Sequence, residues 1–380
     1  MSRFVRPRVA ASLVLAALFL PLRPVVAAAP RQAARIIGGT SAAAGHYPFM
    51  ASLQKMAGGG VAAHFCGGTL VDPQWVLTAA HCVHDVTPAD FRVVVGATRL
   101  SAGAGEVRRP AEIRADPEYD GNATHGADIA LVRLSAPVDD ITPIEPVRPS
   151  ERSVWEAGDL AIVMGWGVTS ETGTVASDEL RWVHIPIRAD AEMAAPDAYG
   201  NSFLASDMLG AGSAIGGVDA CFGDSGGPLL VSAGKKGLRQ VGIVSFGLGC
   251  GRPGHPGVYS RLGEGRVRAF ADSLVPLQVA PVRVREGSAA RFTFTLARPS
   301  TLPVSVNWAT LGETATAGVD FTSGRGVATI APGQTAVTVD VPVTADTVAE
   351  RDETFRLRLS QPVNTCLAAD SVQATIVDGG

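Results

Sequence analysis

One serine lies in a segment whose residue types suit nucleophilic catalysis, residues 219–228 with the sequence DACFGDSGGP. Glycines on both sides permit a tight turn that exposes the Ser225 hydroxyl. The backbone N–H groups of Gly223 and Ser225 can then face the negative oxygen that develops when a carbonyl is attacked. A hydroxyl is a weak nucleophile at neutral pH, so this chemistry needs a base that the rest of the fold holds nearby.

The segment resembles the nucleophile segment of the chymotrypsin/trypsin family, in which GDSGGP surrounds the catalytic serine. Two further motifs are similar to that family, LTAAHC at residues 77–82 and DIAL at residues 128–131, in the same order along the chain. The resemblance implies that Ser225 attacks the scissile carbonyl and that His81 takes its proton and later delivers it to the leaving amine. It implies that Asp128 orients the imidazole and stabilises its cationic form.

A primary specificity pocket is also implied by the resemblance. Asp219 stands six residues before Ser225, at the position of the pocket base, where a confined carboxylate favours a long cationic side chain. Gly247 and Gly257 match the two wall positions that leave room for that chain. Residues 245–247, beginning with Ser245, are expected to pair with the substrate backbone as an added strand. We therefore expect cleavage after Arg or Lys.

An activation site is implied at the start of the proposed protease. Arg35 is followed by IIGGT at residues 36–40, the pattern that the family exposes by cutting after a basic residue. The new α-ammonium of Ile36 is then expected to pair with Asp224, because a buried carboxylate needs a charged partner.

The five cysteines fit this interpretation, with one left over. The resemblance implies disulfides between Cys66 and Cys82 and between Cys221 and Cys250, which would hold the His81 loop and the pocket walls. Cys366 has no evident partner and is expected to be a free thiol.

The first residues have the pattern of a secretory leader. A basic start is followed by an apolar run from residue 9 to 20, too short to span a bilayer, and then by small residues. We expect a signal peptide over residues 1–28, an activation propeptide over 29–35, and an exported protein, secreted or periplasmic and of bacterial origin. Such a compartment preserves disulfides.

Length and composition indicate two β-rich domains. The chain has 380 residues, only 18% of them charged, and a net charge of −4 without a long basic run. This charge gives no reason to expect a nucleic-acid partner. The resemblance implies protein or peptide substrates, and the lengths of the apolar runs predict no membrane span in the mature chain. Short strand patterns separated by turns predict an all-β protease domain over residues 36–275, and Val267, Phe270, Ala271 and Leu274 predict a terminal helix. The resemblance implies that the strands form two β-barrels.

Residues 277–380 alternate strictly between apolar and polar positions and predict an immunoglobulin-like, antiparallel β-sandwich of about seven strands. Several segments resemble the Calx-beta module: VREG at 284–287, TATAGVDF at 314–321, IAPGQT at 330–335 and DTVAERDETF at 346–355. We expect this domain to position the protease on a surface or matrix ligand.

Some Calx-beta modules bind calcium through acidic loops, and carboxylates suit this hard cation. The candidate ligands here are Glu286, Asp320, Asp346, Glu350 and Asp378. The alternative is that these acids are ordinary turn and solvated residues. Catalysis itself needs no cofactor under this interpretation.

The sequence thus predicts a zymogen-activated serine endopeptidase with an accessory Calx-beta domain. The alternative is a catalytically idle homologue that acts as a binding or adhesion protein. The natural substrate, the activating protease and the oligomeric state stay open.

Overall fold

The structure is a computed structural model that describes residues 1–2, 36–56, 62–273, 276–297, 299–300, 302–347, 350–367 and 369–377. The expected signal peptide beyond its first two residues, the propeptide with Arg35, and the acid Asp378 lie outside the described residues.

The region that carries the predicted catalytic residues is built from short strands. In chain order they are β1 (Thr40–Ser41), β2 (Met50–Met56), β3 (Ala62–Asp72), β4 (Trp75–Thr78), β5 (Phe91–Val95), β6 (Glu106–Arg108), β7 (Pro110–Ala115), β8 (Ala130–Leu134), β9 (Leu160–Gly165), β10 (Arg181–Pro186), β11 (Met208–Ala211), β12 (Pro228–Ser232), β13 (Leu238–Phe246) and β14 (Gly257–Arg261). Three helices accompany them, α1 (Ala80–Val83), α2 (Asp190–Met193) and α3 (Gly265–Asp272).

The first seven-stranded sheet has the order β6-β5-β2-β3-β4-β8-β7, and its neighbours are antiparallel. Strand β4 pairs with β8 so that Thr78, at the end of β4, lies opposite Ala130, at the start of β8. His81 follows β4 within α1, and Asp128 precedes β8 by two residues. This pairing therefore brings the histidine and the aspartate to the same edge of one sheet.

The second seven-stranded sheet has the order β1-β10-β9-β12-β13-β14-β11. Ser225 comes just before β12, Ser245 lies near the end of β13, and Gly257 begins β14. Because β12, β13 and β14 are neighbours, these three residues are held close together.

Buried contacts join the two sheets. The Gly67 N–H on β3 donates to the Ser225 carbonyl at 2.7 Å. The Thr69 hydroxyl donates to Gln240 Oε1 at 2.7 Å between fully buried side chains. The predicted catalytic residues thus lie where the two half-barrels meet, and α3 confirms the predicted terminal helix, apart from Leu274, which is outside the described residues.

The C-terminal region forms a sandwich of two sheets. Its strands are β15 (Pro276–Val279), β16 (Val282–Arg285), β17 (Ala289–Leu296), β18 (Val304–Gly312), β19 (Arg325–Ile330), β20 (Ala336–Pro342), β21 (Glu353–Val363), β22 (Cys366–Leu367) and β23 (Ser371–Val377). One sheet has the order β20-β17-β15-β22 and the other β16-β23-β21-β18-β19. Fully buried aromatic rings, including Phe292, Phe321 and Phe355, fill the space between the sheets.

Two details differ from the predicted antiparallel arrangement of about seven strands. The N-terminal segment of the sandwich is divided into β15 and β16, which join different sheets. Pro281 lies between them, and proline lacks the N–H that a continuous strand would donate. Both short strands pair in parallel, β15 with β22 and β16 with β23. The all-β fold with two half-barrels and a following sandwich is otherwise as predicted.

Among the described helices, none is both long enough and apolar enough to cross a membrane.

Candidate active site

His81 and Asp128 are joined by two hydrogen bonds. The His81 backbone N–H donates to Asp128 Oδ1 at 2.9 Å, and the ring nitrogen Nδ1 lies 2.8 Å from Asp128 Oδ2. Burial by itself would raise the pKa of Asp128, but the bonds from His81 and Ser245 outweigh it and lower that pKa. An ionised carboxylate only accepts, so Nδ1 carries the proton and Nε2 is left able to accept one.

Two serines of the second half-barrel donate hydrogen bonds to Asp128. The Ser245 hydroxyl donates to Asp128 Oδ2 at 2.5 Å, and the Ser260 hydroxyl donates to the Asp128 carbonyl at 2.7 Å. Both serines are buried. The sequence analysis assigned residues 245–247 to substrate pairing and missed this contact, which joins residues far apart in the chain.

Ser225 lies on a glycine-rich turn. Gly223 has a φ of 93°, in the left-handed region that favours glycine. Within the described part of the chain, neither the Gly223 nor the Ser225 N–H has an acceptor, and the Ser225 hydroxyl has no hydrogen-bond partner. Such bonds often form only when substrate is bound, and the arrangement leaves both N–H groups available to an oxyanion.

His64 holds the carbonyl of the same turn. Its Nε2 lies 2.8 Å from the Gly223 carbonyl and its Nδ1 lies 2.8 Å from the Ser52 hydroxyl. Burial lowers the pKa of His64 to about 4, against the opposing effect of the Gly223 bond. The ring is therefore neutral at pH 7, donating through Nε2 and accepting from Ser52. The sequence analysis passed over His64, although it stands two residues before Cys66.

Asp224 is fully buried behind the nucleophile turn. Its Oδ1 accepts from the Gly167 N–H at 2.8 Å and its Oδ2 accepts from the Cys221 N–H at 2.9 Å. Gly165 and Gly167 lie so close that a Cβ on either would collide with this carboxylate. Burial raises the pKa of Asp224 to about 7, although the two backbone bonds oppose the shift.

Ile36 lies beside this region and is fully buried. The Ile37 carbonyl accepts from the Asp219 N–H at 3.2 Å, so the segment after Arg35 contacts the loop that leads to the nucleophile. Arg35 itself is outside the described residues.

The predicted pocket is a cavity of about 220 Å³ that opens beside Ser225. The lining includes the five residues that the sequence analysis selected for the nucleophile and the pocket: Asp219, Ser225, Ser245, Gly247 and Gly257. Tyr259, which the sequence analysis did not select, also lines the cavity.

Asp219 is 3% exposed and lies at the base of this cavity. Its Oδ2 accepts from the Gly251 N–H at 2.8 Å, whereas its Oδ1 has no partner among the described residues. Burial raises the pKa of Asp219 to about 7, against the bonds from Gly251 and Ala220. An unpartnered buried carboxylate oxygen favours a cationic ligand.

Both predicted disulfides are present. Cys66 on β3 is bonded to Cys82 in α1, beside His81, and their Cα atoms are 6.2 Å apart. Cys221 is bonded to Cys250, and their Cα atoms are 5.3 Å apart. The first bond ties the histidine loop to the sheet, and the second ties together two walls of the cavity.

The acids of the sandwich are only partly brought together. Carboxylate oxygens of Asp320, Glu350 and Glu353 lie within 4.8 Å of one another. Burial is the main cause that raises the pKa of Glu353, and the neighbouring acids Asp320, Glu350 and Glu286 raise it further. Two other candidates lie in the described part of the chain, Glu286 and Asp346, and neither belongs to this group of three. Glu353 was missed because it begins a strand rather than lying in a loop.

The comparisons with known proteins agree with this geometry. Residues 36–265 match the family model described as Trypsin, and residues 271–380 match the model described as Calx-beta domain. A protein from Saccharopolyspora erythraea named Trypsin is 39% identical over 228 residues, which cover 60% of this chain and 93% of that protein. The chain therefore belongs to the trypsin family of serine proteases and carries a Calx-beta domain after the protease fold.

Proposed function

We propose that this protein is an exported serine endopeptidase that hydrolyses peptide bonds after Arg or Lys. The observation that carries the proposal is the unpartnered Oδ1 of Asp219 at the base of a cavity that also reaches Ser225. A guanidinium or ammonium group bound there would place the following carbonyl beside the nucleophile.

The proposed first step is acylation. Ser225 attacks the carbonyl carbon while His81 Nε2 removes the hydroxyl proton, and the C–N bond breaks as that proton passes to the leaving amine. Asp128, held by Ser245, stabilises the imidazolium that forms in between. The Gly223 and Ser225 N–H groups donate to the tetrahedral oxyanion. Water then hydrolyses the acyl-enzyme by the same steps in reverse.

Activation is proposed to occur at the Arg35–Ile36 bond. Cutting this bond creates an α-ammonium next to a side chain that is already fully buried. The Asp224 carboxylate has only backbone donors within the described residues, and burial raises its pKa to about 7. An ion pair between the two would stabilise the turn that carries Gly223 and Ser225. Because Arg35 suits the proposed pocket, the enzyme is a candidate for activating itself.

We retain residues 1–28 as signal peptide, 29–35 as propeptide, 36–275 as protease domain and 277–380 as Calx-beta domain. The sandwich is proposed to attach the protease to a surface or matrix ligand. We also retain calcium as a proposed ligand, because Asp320, Glu350 and Glu353 supply clustered carboxylate oxygens, with Glu286 near them.

The test of the protease proposal uses protein that begins at Ile36 and peptides that differ only at the residue before the cut. Hydrolysis confined to Arg and Lys peptides, and lowered about 10⁶-fold by Ser225→Ala, is expected. Hydrolysis after Phe or Leu alone would contradict the pocket assignment. An active-site probe that fails to label Ser225 in correctly paired protein would favour the alternative of an idle binding protein.

The calcium proposal is tested on the full chain with Ser225→Ala. Calorimetric titration should show binding and the melting temperature should rise, and Glu353→Gln should weaken both effects. The acids are ordinary solvated residues if calcium gives neither heat nor a shift in melting temperature.

A further inference from the structure

The exposed face of the five-stranded sheet of the sandwich is rich in arginine. Alternate residues on four of its strands point away from the core, as their exposure shows. This surface, called the arginine face, carries Arg283 and Arg285 on β16, Arg325 on β19, and Arg356 and Arg358 on β21. Residues 276–380 contain no lysine at all. The positive charge of this region is thus supplied only by guanidinium groups.

The strand register places two of these arginines symmetrically. Ala309 on β18 pairs with Arg325 on one side and with Arg358 on the other. Neighbouring strands are about 4.8 Å apart, so the two arginines stand on backbones about 10 Å apart with a small residue between them. Arg325 and Arg358 are both exposed. In the part of the chain that the structure describes, neither of them pairs with a carboxylate.

Three other arginines of the sandwich have an acidic partner. Arg356 pairs with Glu313, and Arg283 pairs with Asp352 at 2.6 Å. On the outer face of the opposite sheet, Arg291 makes two bonds to Asp340, at 2.9 and 3.0 Å. The pair formed by Arg325 and Arg358 therefore differs from these three in having no acidic partner on the protein among the described residues.

Polar side chains lie beside the arginines, together with the exposed apolar residues Leu311 and Val327. Asn307 on β18, Ser360 on β21, and Ser371 and Gln373 on β23 occupy neighbouring positions on the same face. Guanidinium groups bind carboxylate and sulfate in a bidentate manner, and amide and hydroxyl groups bind sugar hydroxyls. Among the described residues of this face there is no aromatic side chain on which bases would stack, since Trp308 packs against the core. This combination fits a polymer that carries both hydroxyl and acidic groups.

We propose that the arginine face binds an acidic polysaccharide, with Arg325 and Arg358 as its central contacts. The inference deepens the proposed attachment role of the sandwich and rests on that role, but it does not depend on proteolysis. A sequence search for basic runs misses the site because its arginines come from separate strands.

The test uses the full chain with Ser225→Ala, so that peptidase activity plays no part. Binding to heparin and to polygalacturonate is measured by surface plasmon resonance, with uncharged dextran as a reference. The variant Arg325→Ser/Arg358→Ser is compared with Arg109→Ser/Arg291→Ser, which removes the same charge from exposed positions elsewhere.

We expect both acidic polymers to bind and dextran not to bind. The Arg325/Arg358 variant should weaken binding at least tenfold, whereas the control variant should stay within twofold of the parent. Equal losses in the two variants would reduce the effect to net charge and overturn the proposal. Absence of binding to either polymer, or preferential binding to duplex DNA or to vesicles with 30% phosphatidylglycerol, would overturn it as well.

Discussion

Asp219 and Tyr259 converge on one point at the base of the pocket. A Cβ added to Gly257 would lie 3.0 Å from Asp219 Oδ1 and 3.2 Å from the Tyr259 hydroxyl. Neither of these two oxygen atoms has a hydrogen-bond partner among the described residues, although both are buried. The space in front of Gly257 is thus lined by two polar atoms that a bound cation would satisfy.

Gly257→Ala should remove much of the space for the cationic side chain. We expect kcat/KM for an Arg peptide to fall about 100-fold, since a side chain misplaced by about 1 Å already costs that much. The rate at which methanesulfonyl fluoride, a reagent too small to reach the base, labels Ser225 should stay unchanged. A loss of less than threefold on the Arg peptide would show that the substrate avoids this wall.

Binding of a cation to the pocket should depend on pH because the pKa of Asp219 is raised to about 7 by burial. Below that pH the carboxyl must release a proton when benzamidine, an amidinium cation, binds. The affinity should therefore fall about tenfold for each pH unit below about 7 and be level above it. Calorimetry on the Ser225→Ala protein in buffers of different ionisation enthalpy measures both affinity and proton release. Asp219→Asn should abolish the dependence, and a flat profile in the parent would contradict it.

Ser245→Ala should lower kcat while leaving KM nearly unchanged. The change removes the hydroxyl that donates to Asp128 Oδ2 at 2.5 Å, so the carboxylate and the imidazole are held less firmly. We expect kcat to fall about tenfold, the effect of roughly 1.4 kcal/mol in the transition state. Ser260→Ala, which removes a bond to the Asp128 carbonyl instead, is the matched control and should have a smaller effect. Equal kcat values for both variants would argue against a positioning role of Ser245.

Arg35→Gln should prevent activation of the full chain. Without the Ile36 α-ammonium, Asp224 has only backbone donors among the described residues, and its pKa of about 7 leaves about half of these carboxyls protonated at pH 7. We expect kcat/KM to be about 10²–10³-fold lower than in protein that begins at Ile36, the usual effect of a lost oxyanion donor. Asp224→Asn in the shortened protein should cause a similar loss. Full activity of uncut Arg35→Gln protein would exclude the proposed activation.

The sequence was informative where chemistry resides in contiguous motifs. His81, Asp128 and Ser225 each lie in such a run, and the pairing of β4 with β8 then follows from the fold. The contact of Ser245 with Asp128 and that of His64 with Gly223 join residues 117 and 159 positions apart, and no local pattern predicts them. The parallel pairing of β15 with β22 and of β16 with β23 accompanies a break at Pro281 that alternation alone does not indicate.

The glycine backbone around Asp224 has a consequence for genetics. Every amino-acid substitution at Gly165 or Gly167 adds at least a Cβ, and the structure has no room for one beside the carboxylate. In a random library of this gene, inactive clones should therefore recur at these two codons as often as at the codons of the triad. In an alignment of surviving clones, Gly165 and Gly167 should be as invariant as Ser225.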